Sequence, residues 1–248
     1  DKNFERQLKM LKEFGFRGVE VNIAKPDQID ANDLRQYFSD FNLRFTMFAS
    51  GLAAKTFDLS LSNEDPGIRA RSVQKCIDFI DFAEKFDAGV IVGFLKGGIA
   101  RDAHHAGKLF TDSLSRIAPH ALQKSVPVLI EATNRYESSV AKSLEETVDL
   151  VKEYQNSFIR ILPDTFHMNI EEADQSAALR KYIKYYDSIH ISDNNRYFPG
   201  LGAINFAEII RFLRGLQYQG GIAIEGNIKK SFIDDLRKSM DYLIPLLS

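Results

Sequence analysis

Cysteine, charge of one sign and long apolar runs are all scarce in this chain. The single cysteine, Cys76, excludes an intramolecular disulfide. It falls in an amphipathic pattern over 73–82, which makes it a buried small thiol rather than a reactive one. No apolar stretch approaches the roughly 20 residues needed to span a bilayer, and no signal-peptide pattern is present, so a cytoplasmic location is the default expectation. A formal net charge of −2 gives no general attraction to nucleic acid or to an anionic membrane surface. No Pro/Gly/Ser-rich linker and no shift in composition interrupts the 248 residues, so one domain over 1–248 is expected.

Amphipathic segments alternate with short apolar runs. Helical spacing covers 4–14, 34–41, 68–86, 109–124, 144–154, 177–186, 206–213 and 232–247. Between them, 18–21, 43–48, 89–94, 127–131, 159–162, 188–191 and 221–225 read as strands. These strands are almost entirely apolar, as parallel strands buried on both faces are. Regular strand–helix alternation implies parallel strands with helical crossovers, hence an α/β barrel of the (β/α)8 or TIM type. Seven strands and eight helices are predicted, and the first helix has no strand before it. Such barrels close with eight strands. The first strand is therefore expected N-terminal to Asp1, the alternative being a seven-stranded or open sheet.

In parallel barrels the chemistry lies at the C-terminal ends of the strands. The last four predicted strands end at Glu131, Asp164, His190 and Glu225. One carboxylate after an apolar run is commonly a helix N-cap. Four successive strand ends carrying metal-ligand residue types point instead to one divalent ion in the barrel mouth, of the Mn²⁺, Co²⁺, Zn²⁺ or Mg²⁺ kind. Three crowded carboxylates repel one another, and a dication offsets that repulsion. Nearby lie Glu137, His167 and Arg196, with Lys96-Gly97-Gly98 and Arg101 as a weak phosphate cradle. His104 and His105 read as a solvated loop, and His120 as structural.

Asp164-Thr-Phe-His-Met-Asn-Ile-Glu-Glu172 closely resembles a signature of the D-tagatose 3-epimerase and D-psicose 3-epimerase group within the xylose isomerase-like barrel superfamily. Ile130-Glu131 with Asn134, Arg135 and Glu137, then His190 with Asp193 and Arg196, then Ala223-Ile224-Glu225-Gly226, are similar to the other site segments of that group. Phe94-Leu95-Lys96-Gly97 resembles a Gly-rich loop of related sequences. The resemblance runs over nearly the whole chain. It implies a single ion, Mn²⁺ foremost, on Glu131, Asp164, His190 and Glu225. It also implies that Glu131 and Glu225 are the acid–base pair, with Glu137, His167, Arg196 and Lys96 around a sugar or sugar phosphate. A homodimer or homotetramer is implied by the family alone.

That set fits epimerisation beside a ketone. A metal holding the carbonyl and the neighbouring hydroxyl stabilises the enediolate. One carboxylate removes the proton and a second returns one on the opposite face. Aldose–ketose or hydroxypyruvate-type isomerisation on the same residues is the first alternative. An endonuclease of the same superfamily needs a three-zinc cluster with further histidines, and the strand ends near Phe48 and Phe94 offer none. A non-catalytic sugar-binding barrel is the third reading.

Overall fold

The structure, a computed structural model, describes residues 2–154 and 158–247. Among them seven strands run in parallel: β1 (Gly18–Asn22), β2 (Arg44–Ala49), β3 (Gly89–Val92), β4 (Val128–Glu131), β5 (Ile159–Leu162), β6 (Ser188–Ile191) and β7 (Gly221–Ile224). β1 to β5 pair in chain order, and β6 pairs with β7. An isolated bridge between Asp164 and His190, with the His190 N–H donating to the Pro163 carbonyl at 2.9 Å, joins the two sheets. This is the TIM-barrel order expected from the alternation. β1 and β7 do not pair with each other, and the strand expected ahead of the first helix lies outside the described residues.

Among the described residues there are ten α-helices: α1 (Lys2–Glu13), α2 (Ala31–Ser39), α3 (Gly51–Thr56), α4 (Pro66–Glu84), α5 (Ala103–Lys124), α6 (Leu144–Val151), α7 (Thr165–Glu171), α8 (Gln175–Lys181), α9 (Phe206–Gly215) and α10 (Phe232–Leu247). Eight match predicted helices. α3 and α7 are additional, and each is too short to show a 3.6-residue period in sequence. α5 starts earlier than its periodicity indicated. The Asp102 side chain accepts from the His105 N–H at 3.0 Å and caps the helix. His104 and His105, expected in a loop, are therefore exposed in its first turn. His120 lies 2.7 Å from Asp81, tying α5 to α4.

One apolar cluster runs from Leu8 to Leu243. Phe45, Phe48, Phe79 and Phe82, with the half-buried Phe86 against them, form a continuous set of ring contacts, with Phe48 stacked on Phe79 at 4.6 Å. Removing one such ring costs about 3–5 kcal/mol. Cys76 is fully buried there, and burial pushes its thiol up to about 12. β3, β4 and β6 are buried at every residue, whereas Ile222 of β7 is 38% exposed. Burial is complete in these three strands and weakest in β1 and β7, which do not pair with each other. No helix among the described residues is long and apolar enough to cross a membrane.

Candidate metal centre

Glu131 ends β4, Asp164 follows β5, His190 lies in β6 and Glu225 follows β7. Parallel pairing brings these four strand ends to one mouth. One donor atom from each lies within 4.8 Å of the others, so the four residues converge as the sequence indicated. His190 Nδ1 faces the carboxylates, 2.8 Å from Glu225 Oε2, 3.9 Å from Glu131 Oε1 and 4.0 Å from Asp164 Oδ2. Asp164 divides its two oxygens between tasks. Oδ1 accepts from the Phe166 N–H at 2.8 Å and caps α7, while Oδ2 faces the cluster. The N-cap expectation is met on Oδ1, and Oδ2 is left turned towards His190.

The donor set fits a hard or borderline dication. Glu131 is 7% exposed, and its Oε1 is buried without a hydrogen-bond partner. A buried carboxylate oxygen left unpartnered is costly unless a cation meets it. Room for this carboxylate comes from Gly93, just past β3, where a Cβ would overlap Glu131 Oε2.

Electrostatics follow from that crowding. Burial, with Glu225 and Asp164 nearby, pushes the Glu131 carboxyl up to about 8 in the metal-free chain. Burial also raises Asp164, against the pull of Arg196. Glu225 behaves oppositely. Burial would raise it, but His190 and Arg196 outweigh that and hold it down to about 2. Its side chain is 45% exposed, so water also favours the charged form. Burial would lower His190, but the carboxylates of Glu20 and Glu225 hold it well above its ordinary value.

Glu20, on β1, has no role in the sequence reading. Its Oε2 lies 2.8 Å from His190 Nε2. A glutamate inside a short apolar strand is the available signal, since parallel barrel strands place alternate side chains inward. Arg196, at φ +61°, donates to Asp164 Oδ2 and, at 2.9 Å, to Glu225 Oε2, with its guanidinium over the Phe166 ring. His167 is buried beside the cluster, with Nε2 3.8 Å from Glu131 Oε1. Its Nδ1 accepts from the Asn134 N–H at 3.2 Å, which leaves the ring proton on Nε2. Burial pushes this imidazole down to about 3, so it is neutral. Glu137 lies at the same rim, accepting from Asn134 Nδ2 at 3.1 Å.

Lys96 is placed differently from the expected substrate contact. It is 0% exposed, and its Nζ donates to the Glu131 carbonyl at 2.8 Å and to Thr133 Oγ1 at 2.6 Å. Arg101, the other half of the expected phosphate cradle, is exposed. Of the phenylalanines near strand ends, Phe45, Phe48 and Phe198 are core, while Phe94 is 47% exposed.

A parallel barrel with a four-residue metal-type cluster at its mouth defines the class. The chain belongs to the xylose isomerase-like TIM barrel family, whose model matches residues 8–246. It is 27% identical over 234 residues to a D-psicose 3-epimerase of Enterocloster bolteae, covering 90% of this chain and 76% of that one. A 3-dehydro-D-guloside 4-epimerase of Escherichia coli is 25% identical over 236 residues, covering 92% and 88%. The solved structure of an L-ribulose 3-epimerase superposes with a TM-score of 0.87 at 24% identity, covering 100% of this chain and 89% of that one. The family read from the motifs is the family found.

Proposed function

We propose that this protein is a divalent-metal-dependent ketose 3-epimerase acting on a free sugar. The observation that carries the reading is the convergence of Glu131, Asp164, His190 and Glu225, with Glu131 Oε1 buried and unpartnered. These four residues would hold one divalent ion, with Mn²⁺ the foremost candidate. When bound, the ion supplies Lewis acidity beside a ketone, which makes the neighbouring C–H acidic enough to lose its proton.

Glu131 and Glu225 move that proton. One, as carboxylate, removes it from one face of the carbon. The other passes a proton taken up from solvent to the opposite face, which inverts the centre, and the first gives the proton it removed to solvent. His167 is neutral with its proton on Nε2, so it donates to a sugar oxygen and does not compete as a base. Arg196 and Glu137 complete the polar rim. A free ketose is favoured over a phosphorylated one because the ammonium of Lys96 is turned inward beneath Glu131. The relatives' named activities support the same chemistry: a 3-epimerase and the 4-epimerase of a 3-dehydro sugar both invert a carbon adjacent to a carbonyl. The reading includes a homodimer or homotetramer in the cytoplasm.

The test is incubation of metal-reconstituted protein with D-fructose, D-psicose, D-tagatose and L-ribulose in deuterated water, followed by NMR. The expected product is the C3 epimer carrying one deuterium at C3. Aldoses without a C3 epimer would make the enzyme an isomerase. An absence of solvent exchange on all four sugars would refute this function.

A further inference from the structure

Lys96 ends a 3-10 turn, Phe94–Lys96, that follows β3. Its side chain is fully buried, and both acceptors of its ammonium are neutral: the Glu131 carbonyl and the Thr133 hydroxyl. Lysine is seldom buried completely, because removing an ammonium from water costs more than neutral acceptors return. An apolar side chain of similar length would serve the packing at lower cost. What the charge does at this position therefore has to be found in what it touches.

It touches the backbone that carries Glu131. The β3–β4 ladder ends at Val92 opposite Ile130, one residue short of Glu131. On the other side the ladder continues, with Glu131 opposite Leu162. The β3 side of this strand end thus has no paired residue opposite Glu131, and Lys96 Nζ donates to its carbonyl there. The turn bearing Lys96 is itself fixed. Ser138 Oγ donates to the Gly97 carbonyl at 2.9 Å, the Ser139 N–H to the Gly98 carbonyl at 3.1 Å, and the Leu61 N–H to the Leu95 carbonyl at 2.9 Å. Gly97 has φ +120°, and a Cβ there would overlap Ser62 Oγ, so the turn has little room to shift.

We propose that Lys96 is a positioning residue, holding the main chain at the end of β4 so that the Glu131 carboxylate is aimed at Asp164, His190 and Glu225. The inference rests on the metal-centre reading above. It gives Lys96 no contact with the sugar.

The test is Mn²⁺ affinity, read from the electron paramagnetic resonance signal of free Mn²⁺ at a temperature well below unfolding, with circular dichroism as the check on folding. Lys96→Met is expected to weaken Mn²⁺ binding about tenfold or more, and to lower kcat more than it changes KM. Lys96→Arg, which keeps the charge and can still donate, is expected to recover part of the affinity. Thr133→Ala, which leaves the lysine in place but removes one of its two acceptors, is expected to weaken binding about threefold. A purely structural lysine would lower the melting temperature and leave Mn²⁺ affinity unchanged. Wild-type affinity in folded Lys96→Met, or in Thr133→Ala if Lys96→Met does not fold, overturns the proposal. A wild-type protein that binds no Mn²⁺ would instead overturn the metal-centre reading.

Discussion

Glu20 and His190 lie 170 residues apart in sequence and meet in the barrel, with Glu20 Oε2 2.8 Å from His190 Nε2. The contact occupies one ring nitrogen and leaves Nδ1 facing the three carboxylates. A carboxylate on the far nitrogen of a ligating histidine fixes its tautomer and raises its basicity. Glu20→Ala is expected to weaken Mn²⁺ binding about 10- to 100-fold, with little change in melting temperature. Glu20→Gln, which keeps an oxygen acceptor but not the charge, is expected to lose less. Titration of each variant with Mn²⁺ measures this, and unchanged affinity in Glu20→Ala would remove the role.

Metal addition should expel protons. In the metal-free chain Glu131 titrates near 8, and His190 lies well above its ordinary value. At pH 7 both are largely protonated, and both must lose the proton to act as ligands. Binding is therefore expected to release more than one proton per ion at pH 7. Apparent affinity should rise as pH increases from 6 towards 9. Calorimetry in buffers of differing ionisation enthalpy counts the protons, and a release near zero would show that the two groups are already deprotonated.

Much of this site was readable because barrel topology turns strand ends into a list. Glu131, Asp164, His190 and Glu225 each follow an apolar run, and parallel pairing alone brings such positions to one mouth. Glu20 was not readable in this way, because it lies within its strand and its significance depends on a partner in β6. The direction taken by Lys96 was hidden for a different reason. A lysine beside two glycines has the composition of a phosphate loop, and only the path of the turn shows the ammonium pointing at a backbone carbonyl. α3 and α7 escaped because six or seven residues carry too little periodicity.

A side chain at Gly93 is expected to disturb the metal centre rather than the fold. A Cβ at this position would overlap Glu131 Oε2, and the other neighbours of that carboxylate, Asp164 and His190, are buried too. Relief comes most easily by displacing the carboxylate from the cluster. Gly93→Ala is therefore expected to reduce Mn²⁺ affinity by about tenfold or more, as loss of ligand geometry does. Retained affinity would mean that the backbone yields instead, and a crystal structure of the variant would show which atom moved.

His167 gives a stability signature whose sign can be worked out. Its folded-state value is about 3, against an ordinary value of 6.5. Between those limits the unfolded chain binds a proton that the folded chain does not. The neutral, buried ring therefore contributes stability that is fully present above pH 6.5 and is lost progressively as pH falls towards 3. Urea unfolding of the chelator-treated protein at several pH values from 8 to 4 would measure the slope. His167→Gln, which cannot take up that proton, is expected to lose less stability over the same interval, although it starts lower at pH 8 through disturbed contacts to Asn134. Parallel curves for the two proteins would mean that the imidazole is already charged in the folded state, and His167 would then be unable to serve as the neutral donor proposed for it.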